Sequence, residues 1–277
     1  AIILWLTIKE PPRGYSDPPD ADPTRKAPFF EAFKEFGVKP TFWWLGMGAA
    51  LVAFVGYGLI SFQAPFLQRV HGIDVREAAI MYGAPFAAFA AFGTFIGGFM
   101  SEKLTGRFPA VVAWLPAVGL LLAIPAYILA FFSSSLTTVF VLWAIAAVGH
   151  YAYLGAQYSV GTGIVSPRSR ATTIAVLLLI ISLIGNGIGP LFVGAMSDFF
   201  MAREIGLAGY ADLAASFDPK LCGANVLELG EAGPALCKAY GDGLRQSMAA
   251  TVLVFIAAAG CYYMASRTYL SDRFNPQ

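Results

Sequence analysis

Residues 171–197 read Ala-Thr-Thr-Ile-Ala-Val-Leu-Leu-Leu-Ile-Ile-Ser-Leu-Ile-Gly-Asn-Gly-Ile-Gly-Pro-Leu-Phe-Val-Gly-Ala-Met-Ser, and none of them carries a charge. A helix needs ~20 apolar residues to cross a ~30 Å hydrocarbon layer, so this stretch is long enough to span a membrane. Outward from it, 137–165, 109–132, 78–100, 41–62 and 246–266 are also charge-free and of spanning length. The chain's 18 basic and 17 acidic side chains all lie between these stretches, which avoids a cost of at least ~2.5 kcal/mol for each charge placed mid-bilayer. The expectation is an all-α membrane protein with six transmembrane helices. Charged residues make up 13% of the chain, against roughly 25% in a soluble domain. That excludes a soluble enzyme, and a net charge of +1 with no basic block excludes a nucleic-acid module.

Positive residues near span ends are retained in the cytoplasm. Segments 9–40, 101–108, 166–170 and 267–277 hold twelve Lys and Arg against eight acids, a net of +4. Segments 63–77, 133–136 and 198–245 hold six against nine, a net of −3. Both ends of the chain are therefore expected on the cytoplasmic side, with 267–277 as a cytoplasmic tail. Residues 1–8 are apolar but too short to span, and read as the end of a preceding helix in a longer protein. Residues 9–40 form a loop whose proline-rich first part is a linker. In its second part Phe29, Phe33 and Phe36 recur at helical spacing. That pattern describes an amphipathic helix on the membrane face, or equally one whose phenylalanines pack under the bundle. Residues 41–266 hold the six spans, expected as two inverted three-helix repeats, 41–132 and 137–266. The external loop 198–245 is expected to be irregular apart from one short helix near Ala202–Ala215. Cys222 and Cys237 lie in it, where an oxidising compartment lets them pair; closing that loop contributes ~3 kcal/mol on the chain-entropy model.

Polar residues inside the spans are the candidates for a ligand pathway. Trp143, His150 and Gln157 recur every seventh residue with Tyr153 offset by three from His150, so the four share one face of the fourth span; Tyr151 and Tyr158 form an adjacent stripe. An apolar wall with sparse polar anchors is the usual make-up of a small-molecule pocket. A neutral histidine bonded to a neighbouring helix, with tyrosines filling interhelical space, gives the same pattern. Tyr57, Ser61 and Gln63 add hydroxyl and amide groups on the first span. Asn186 on the fifth either lines the cavity or bonds another helix. Gly93 and Gly97 in the second span, and Gly185 and Gly189 in the fifth, are spaced to let another helix approach closely. No close Cys/His set suggests a metal, no Gly-rich phosphate loop a nucleotide, and no nucleophile elbow covalent catalysis. No cofactor is expected, and no enzyme.

Two of these stretches carry a family resemblance. Gly98-Phe99-Met100-Ser101-Glu102-Lys103-Leu104-Thr105-Gly106-Arg107 resembles the cytoplasmic loop motif of the major facilitator superfamily, Gly-x-x-x-Asp-Arg-x-Gly-Arg. It departs by Glu102 and Lys103 in place of Asp-Arg and by one extra residue before Gly106. Gly185 to Gly194 resembles the superfamily's Gly-x-x-x-Gly-Pro helix. With Lys9-Glu10-Pro11-Pro12-Arg13-Gly14, Ser166-Pro167-Arg168-Ser169-Arg170-Ala171 and Gly241-Asp242-Gly243-Leu244-Arg245, the sequence is similar to bacterial Spinster-like transporters.

That resemblance implies one six-helix lobe, the C-terminal half, of a twelve-helix carrier in a bacterial inner membrane. It implies an N-terminal six-helix half as partner, alternating access around a central cavity, and a lysophospholipid or sphingosine phosphate as substrate. It also implies a conformational latch at Glu102, Lys103 and Arg107. The spans hold no carboxylate, so a coupling proton or ion must be handled by the other half. A carrier of organic anions or sugars is the second substrate class, and a six-helix membrane subunit without transport is the alternative of another class.

Overall fold

A computed structural model of the chain describes residues 28–222 and 226–275, so the expectations for residues 1–27 lie outside the described residues. The described residues are helical. A short helix α1 (Phe29–Gly37) precedes the first span, α2 (Pro40–His71). The second span, α3 (Val75–Thr105), opens with a π-helical turn at Ala78–Gly83. The third is α4 (Val111–Phe132), and the fourth is α5 (Leu136–Gly163), interrupted at Ala152. The fifth is α6 (Arg170–Leu207), and the sixth is shared by α7 (Gly233–Val252) and α8 (Val254–Asp272). Among the described residues six helices are long and apolar enough to cross a membrane.

Helix pairing follows a rule of exchange. α2 packs on α6 as α3 packs on α5, α2 packs on α8 as α5 packs on α4, and α4 packs on α8. Swapping the first three spans for the last three leaves this set unchanged, as two inverted three-helix repeats require. The glycines obey the same exchange. A β-carbon at Gly93 would lie 2.6 Å from the Val148 carbonyl oxygen, and one at Gly97 would collide with the backbone of Ala152, both on α5. A β-carbon at Gly185 would lie 2.6 Å from Ala53 Cβ, and one at Gly189 would collide with the Phe54 carbonyl, both on α2. In each repeat the second helix gives up side chains so that the first helix of the other repeat can touch its backbone. Pro190 sits inside α6 without ending it.

The helices are longer than the charge-free stretches, and this corrects the expectation for 198–245. α6 continues to Leu207 and α7 begins at Gly233, so the irregular part is confined to the segment between them, which carries only short 3₁₀ turns at Ala211–Leu213, Pro219–Leu221 and Val226–Ala232. No separate helix forms over 202–215. The extensions share a second small core of Ile205, Leu236 and Ala239, packed by Met201 and Phe217. Gly243 admits the α6 backbone, because a β-carbon there would lie 2.6 Å from the Met201 nitrogen. Gln246 Nε2 donates to Glu204 Oε1 at 2.9 Å, and Ser247 Oγ to the Val193 carbonyl at 2.7 Å. Cys222 and Cys237 are joined, with Sγ–Sγ 2.05 Å.

At the opposite end, α1 is fixed to the bundle by its polar side. Glu35 accepts from the Ser166 amide at 2.5 Å, from Ser166 Oγ at 2.9 Å and from Ser169 Oγ at 2.5 Å. Ser169 is the N-cap of α6, so this carboxylate faces the positive end of a long helix. Lys39 Nζ donates to the carbonyl of Ile164 and, at 3.0 Å, to that of Asp272, at the last turns of α5 and α8. The Asp272 carboxylate in turn accepts from the Thr41 amide at 2.9 Å. Of the three phenylalanines read as one face, only Phe36 is buried, against Phe42 at 4.4 Å between ring centroids; Phe29 and Phe33 are exposed.

Hydrogen bonds to a charged acceptor contribute about 1.5–3 kcal/mol each, and less where water reaches them, as it does at half-buried Glu35. Glu35→Ala should lower the thermal unfolding temperature and speed hydrogen exchange at the Ser166 amide. Unchanged exchange at that amide would show that the bond does not restrain the turn.

Candidate functional site

The candidate residues of α5 divide between two spaces. A cleft of 220 Å³ between α2, α5 and α6 is lined by Tyr57, His150, Tyr153, Gln157 and Tyr158, with Ser182 on its α6 side. Behind it lies a small void of 20 Å³, lined by Gln63, Trp143, His150 and Tyr127. Gly56, Ile60, His150 and Tyr151 belong to both walls and form the partition. The seven-residue recurrence therefore brings Trp143, His150 and Gln157 to one side of α5, with Trp143 behind the partition and Gln157 in front of it.

His150 is 2% exposed and held on all sides. Its Nδ1 lies 3.1 Å from the Tyr127 hydroxyl of α4, the Phe255 ring of α8 is 4.8 Å away between centroids, and Tyr153 lies parallel at 6.2 Å. Gly56 leaves room for its other edge, since a β-carbon there would be 3.3 Å from His150 Cε1. Gln157 is 1% exposed, and its Oε1 has no hydrogen-bond partner among the described residues. Tyr57 is 42% exposed and reaches into the cleft from α2. Trp143 is buried among Phe66, Phe86 and Phe131, and its Nε1 is unpartnered. Among the described residues no Lys, Arg, Asp or Glu lines the cleft, and its polar groups are hydroxyl, amide and imidazole.

Other candidates stand apart. Asn186 is exposed on α6 and lines neither space. Glu102, Lys103 and Arg107 are exposed at the end of α3, and among the described residues none of them forms an ion pair. Lys103 lies 5.9 Å from the Phe99 ring and Arg107 5.7 Å from that of Phe108, both contacts within their own segment. Sequence reading missed Tyr127, the direct partner of His150. It is the single hydroxyl-bearing residue in the otherwise apolar α4, and that isolation is the signal that marks it. It also missed Ser182, which has no such signal among the many small residues of α6.

Six membrane-crossing helices in two exchange-related triplets, with an uncharged polar cleft among them, define a multi-pass membrane protein of the solute-carrier type. Residues 1–190 match the model of the Major Facilitator Superfamily. The chain belongs to that family, which consists of membrane transporters and not enzymes. Within the family the chain is similar to a bacterial homolog of the human lysosomal transporter Spinster. One solved structure of it, inward-facing and unoccupied, shares 67% identity at a TM-score of 0.87, covering 100% of this chain and 58% of that one. A second, inward-facing and occupied, gives 64% identity and a TM-score of 0.83, covering 100% of this chain and 56% of that one. The chain is also 26% identical to Protein spinster homolog 3 of Danio rerio, over 71% of this chain and 42% of the relative. It is 29% identical to an MFS-type efflux pump of Mycolicibacterium smegmatis, over 58% of this chain and 37% of the relative. It thus spans about two fifths of the curated relatives it matches and a little over half of the solved chains.

Removing the Tyr127 hydroxyl leaves a buried imidazole nitrogen without its partner, which costs about 1–3 kcal/mol. Tyr127→Phe should therefore lower the unfolding temperature. His150→Leu combined with it should add less than its own separate effect. Strict additivity would show that the pair is not coupled.

Proposed function

We propose that the chain is the C-terminal six-helix lobe of a secondary carrier that moves an amphipathic lipid, such as a lysophospholipid or a sphingosine phosphate, by alternating access. The observation that carries this reading is the cleft itself. It lies within the spans, it is walled by tyrosines and aliphatic side chains, and its polar groups are few and uncharged. His150 and Gln157 serve the polar part of the ligand while Tyr57, Tyr153 and Tyr158 contact the apolar part. With an uncharged lining, a charged headgroup must find its counter-charge in the other half; an organic anion or a sugar is the second substrate class.

The partner is a second six-helix half. α3 and α6, equivalent helices of the two triplets, leave most of their apolar length unburied, whereas most of that of α2 is buried. An amide facing lipid leaves its hydrogen bonds unmade at a cost of several kcal/mol, so exposed Asn186 supports a neighbouring protein surface or aqueous cavity on α6. With no carboxylate in the cleft, proton or ion coupling falls to that other half. The excess of Lys and Arg supports a cytoplasmic α1 end, in a bacterial inner membrane on this reading. The Cys222–Cys237 pair then faces the oxidising side, where the bond persists. Glu102, Lys103 and Arg107 are free on the cytoplasmic side to form a latch in another conformation. Arg107→Glu should shift spin-label distances across the cytoplasmic mouth, and unchanged distances would remove the latch.

Transport by the full-length protein in reconstituted vesicles tests the reading. Loss of one hydrogen bond to the ligand is worth about tenfold in affinity, so Gln157→Leu and His150→Ala should each weaken lysolipid transport by that order while the protein stays monodisperse. Lysolipid transport equal to the parent in both variants would refute the site. A parent that moves a sugar but no lysolipid would refute the substrate.

A further inference from the structure

The void behind the partition has a polar demand that its own walls do not meet. Trp143 Nε1 on α5 and Gln63 Nε2 on α2 are both buried, and neither has a hydrogen-bond partner among the described residues. Both line the same space, whose 20 Å³ exceeds the roughly 10–15 Å³ that one water occupies and falls far short of an organic group. An indole nitrogen only donates, and leaving a buried donor unpaired is unfavourable, so two donors converging on one small space call for a shared acceptor. The rest of the wall is aromatic or apolar apart from the His150–Tyr127 pair and the Tyr151 hydroxyl.

We propose that the void is a binding site for a single ordered water. It accepts from Trp143 Nε1 and Gln63 Nε2, with the Tyr127 hydroxyl on the same wall to receive one of its hydrogens. A water making three such bonds is typical of buried sites. The site joins α2, α4 and α5 by a polar contact that no direct side-chain bond between Gln63 and Trp143 supplies. It also stands immediately behind His150 and Tyr151, which face the cleft on their other side. The partition that meets the ligand is thereby braced from behind by a solvent molecule. This assignment does not depend on what the cleft carries.

The sign of a stability change tests it. If the void is dry, Gln63→Leu, which removes an unpaired donor at nearly constant volume, should raise the unfolding temperature; Trp143→Phe also loses packing, so the sign is read from Gln63→Leu. If a water is bound, Trp143→Phe and Gln63→Leu in the full-length protein should each lower the unfolding temperature by a few degrees. The double variant should then fall by clearly less than the two single shifts together, because both donors serve one water. A rise, no change, or strictly additive falls would overturn the proposal. A high-resolution density map provides the direct measurement: a peak within hydrogen-bond reach of Trp143 Nε1 and Gln63 Nε2 is expected, and an empty void would overturn the assignment even if the single variants were destabilised through lost packing.

Discussion

Backbone contact between helices is the constraint on which this lobe rests. Lipid tails are as apolar as leucine, so burial of apolar surface gives little reason for one span to prefer another over the bilayer. Association must come from close packing and polar contact, and both require helices to approach nearer than ordinary side chains allow. Gly93 and Gly97 bring α3 onto α5, and Gly185 and Gly189 bring α6 onto α2. Once those two contacts are set, α4 and α8 are held against the same core, and the cleft between α2, α5 and α6 is what the geometry leaves unfilled. A larger side chain at any of the four glycines would therefore act on the shape of the cleft as well as on helix pairing.

Polar contact supplies the second restraint and is concentrated where the helices end. Glu35 closes the start of α6, while Lys39 closes the ends of α5 and α8. Helix termini present amides or carbonyls without intrahelical partners, and a carboxylate at one kind of end and an ammonium at the other satisfy both. The segment that leads into α2 thus reaches the ends of α5, α6 and α8 through two side chains.

Much of this was legible in the sequence, and the losses have definite causes. Charge-free length located all six spans, because a bilayer penalises charge strongly. The same criterion missed the ends of α6 and α7, where Arg203, Glu204 and Lys238 interrupt the apolar run while Ile205, Leu236 and Ala239 still fall on one buried side. The glycine pairs were readable because a missing side chain has one main use between membrane helices. Seven-residue spacing grouped His150 with Gln157, but it gave no hint that the partition would set Trp143 behind it, since that depends on Gly56 and Tyr151 from two different helices. Phe29 and Phe33 share helical spacing with Phe36 but not its burial, because Glu35, anchored to Ser166 and Ser169, sets how α1 is turned.

One consequence of the long α6 is mechanical. At 1.5 Å per residue its 38 residues make a rod ~57 Å from end to end. The rod is clasped at one tip through Ser169 and embedded near the other in the small core around Ile205. A rod held at both tips and pressed to α2 near its middle at Gly185 and Gly189 has the arrangement of a beam on a fulcrum. A tilt of about 10° about that point would carry its two tips some ~10 Å in total in opposite directions, and so requires that Ser169 leave Glu35 or that α1 and the small core move with the rod.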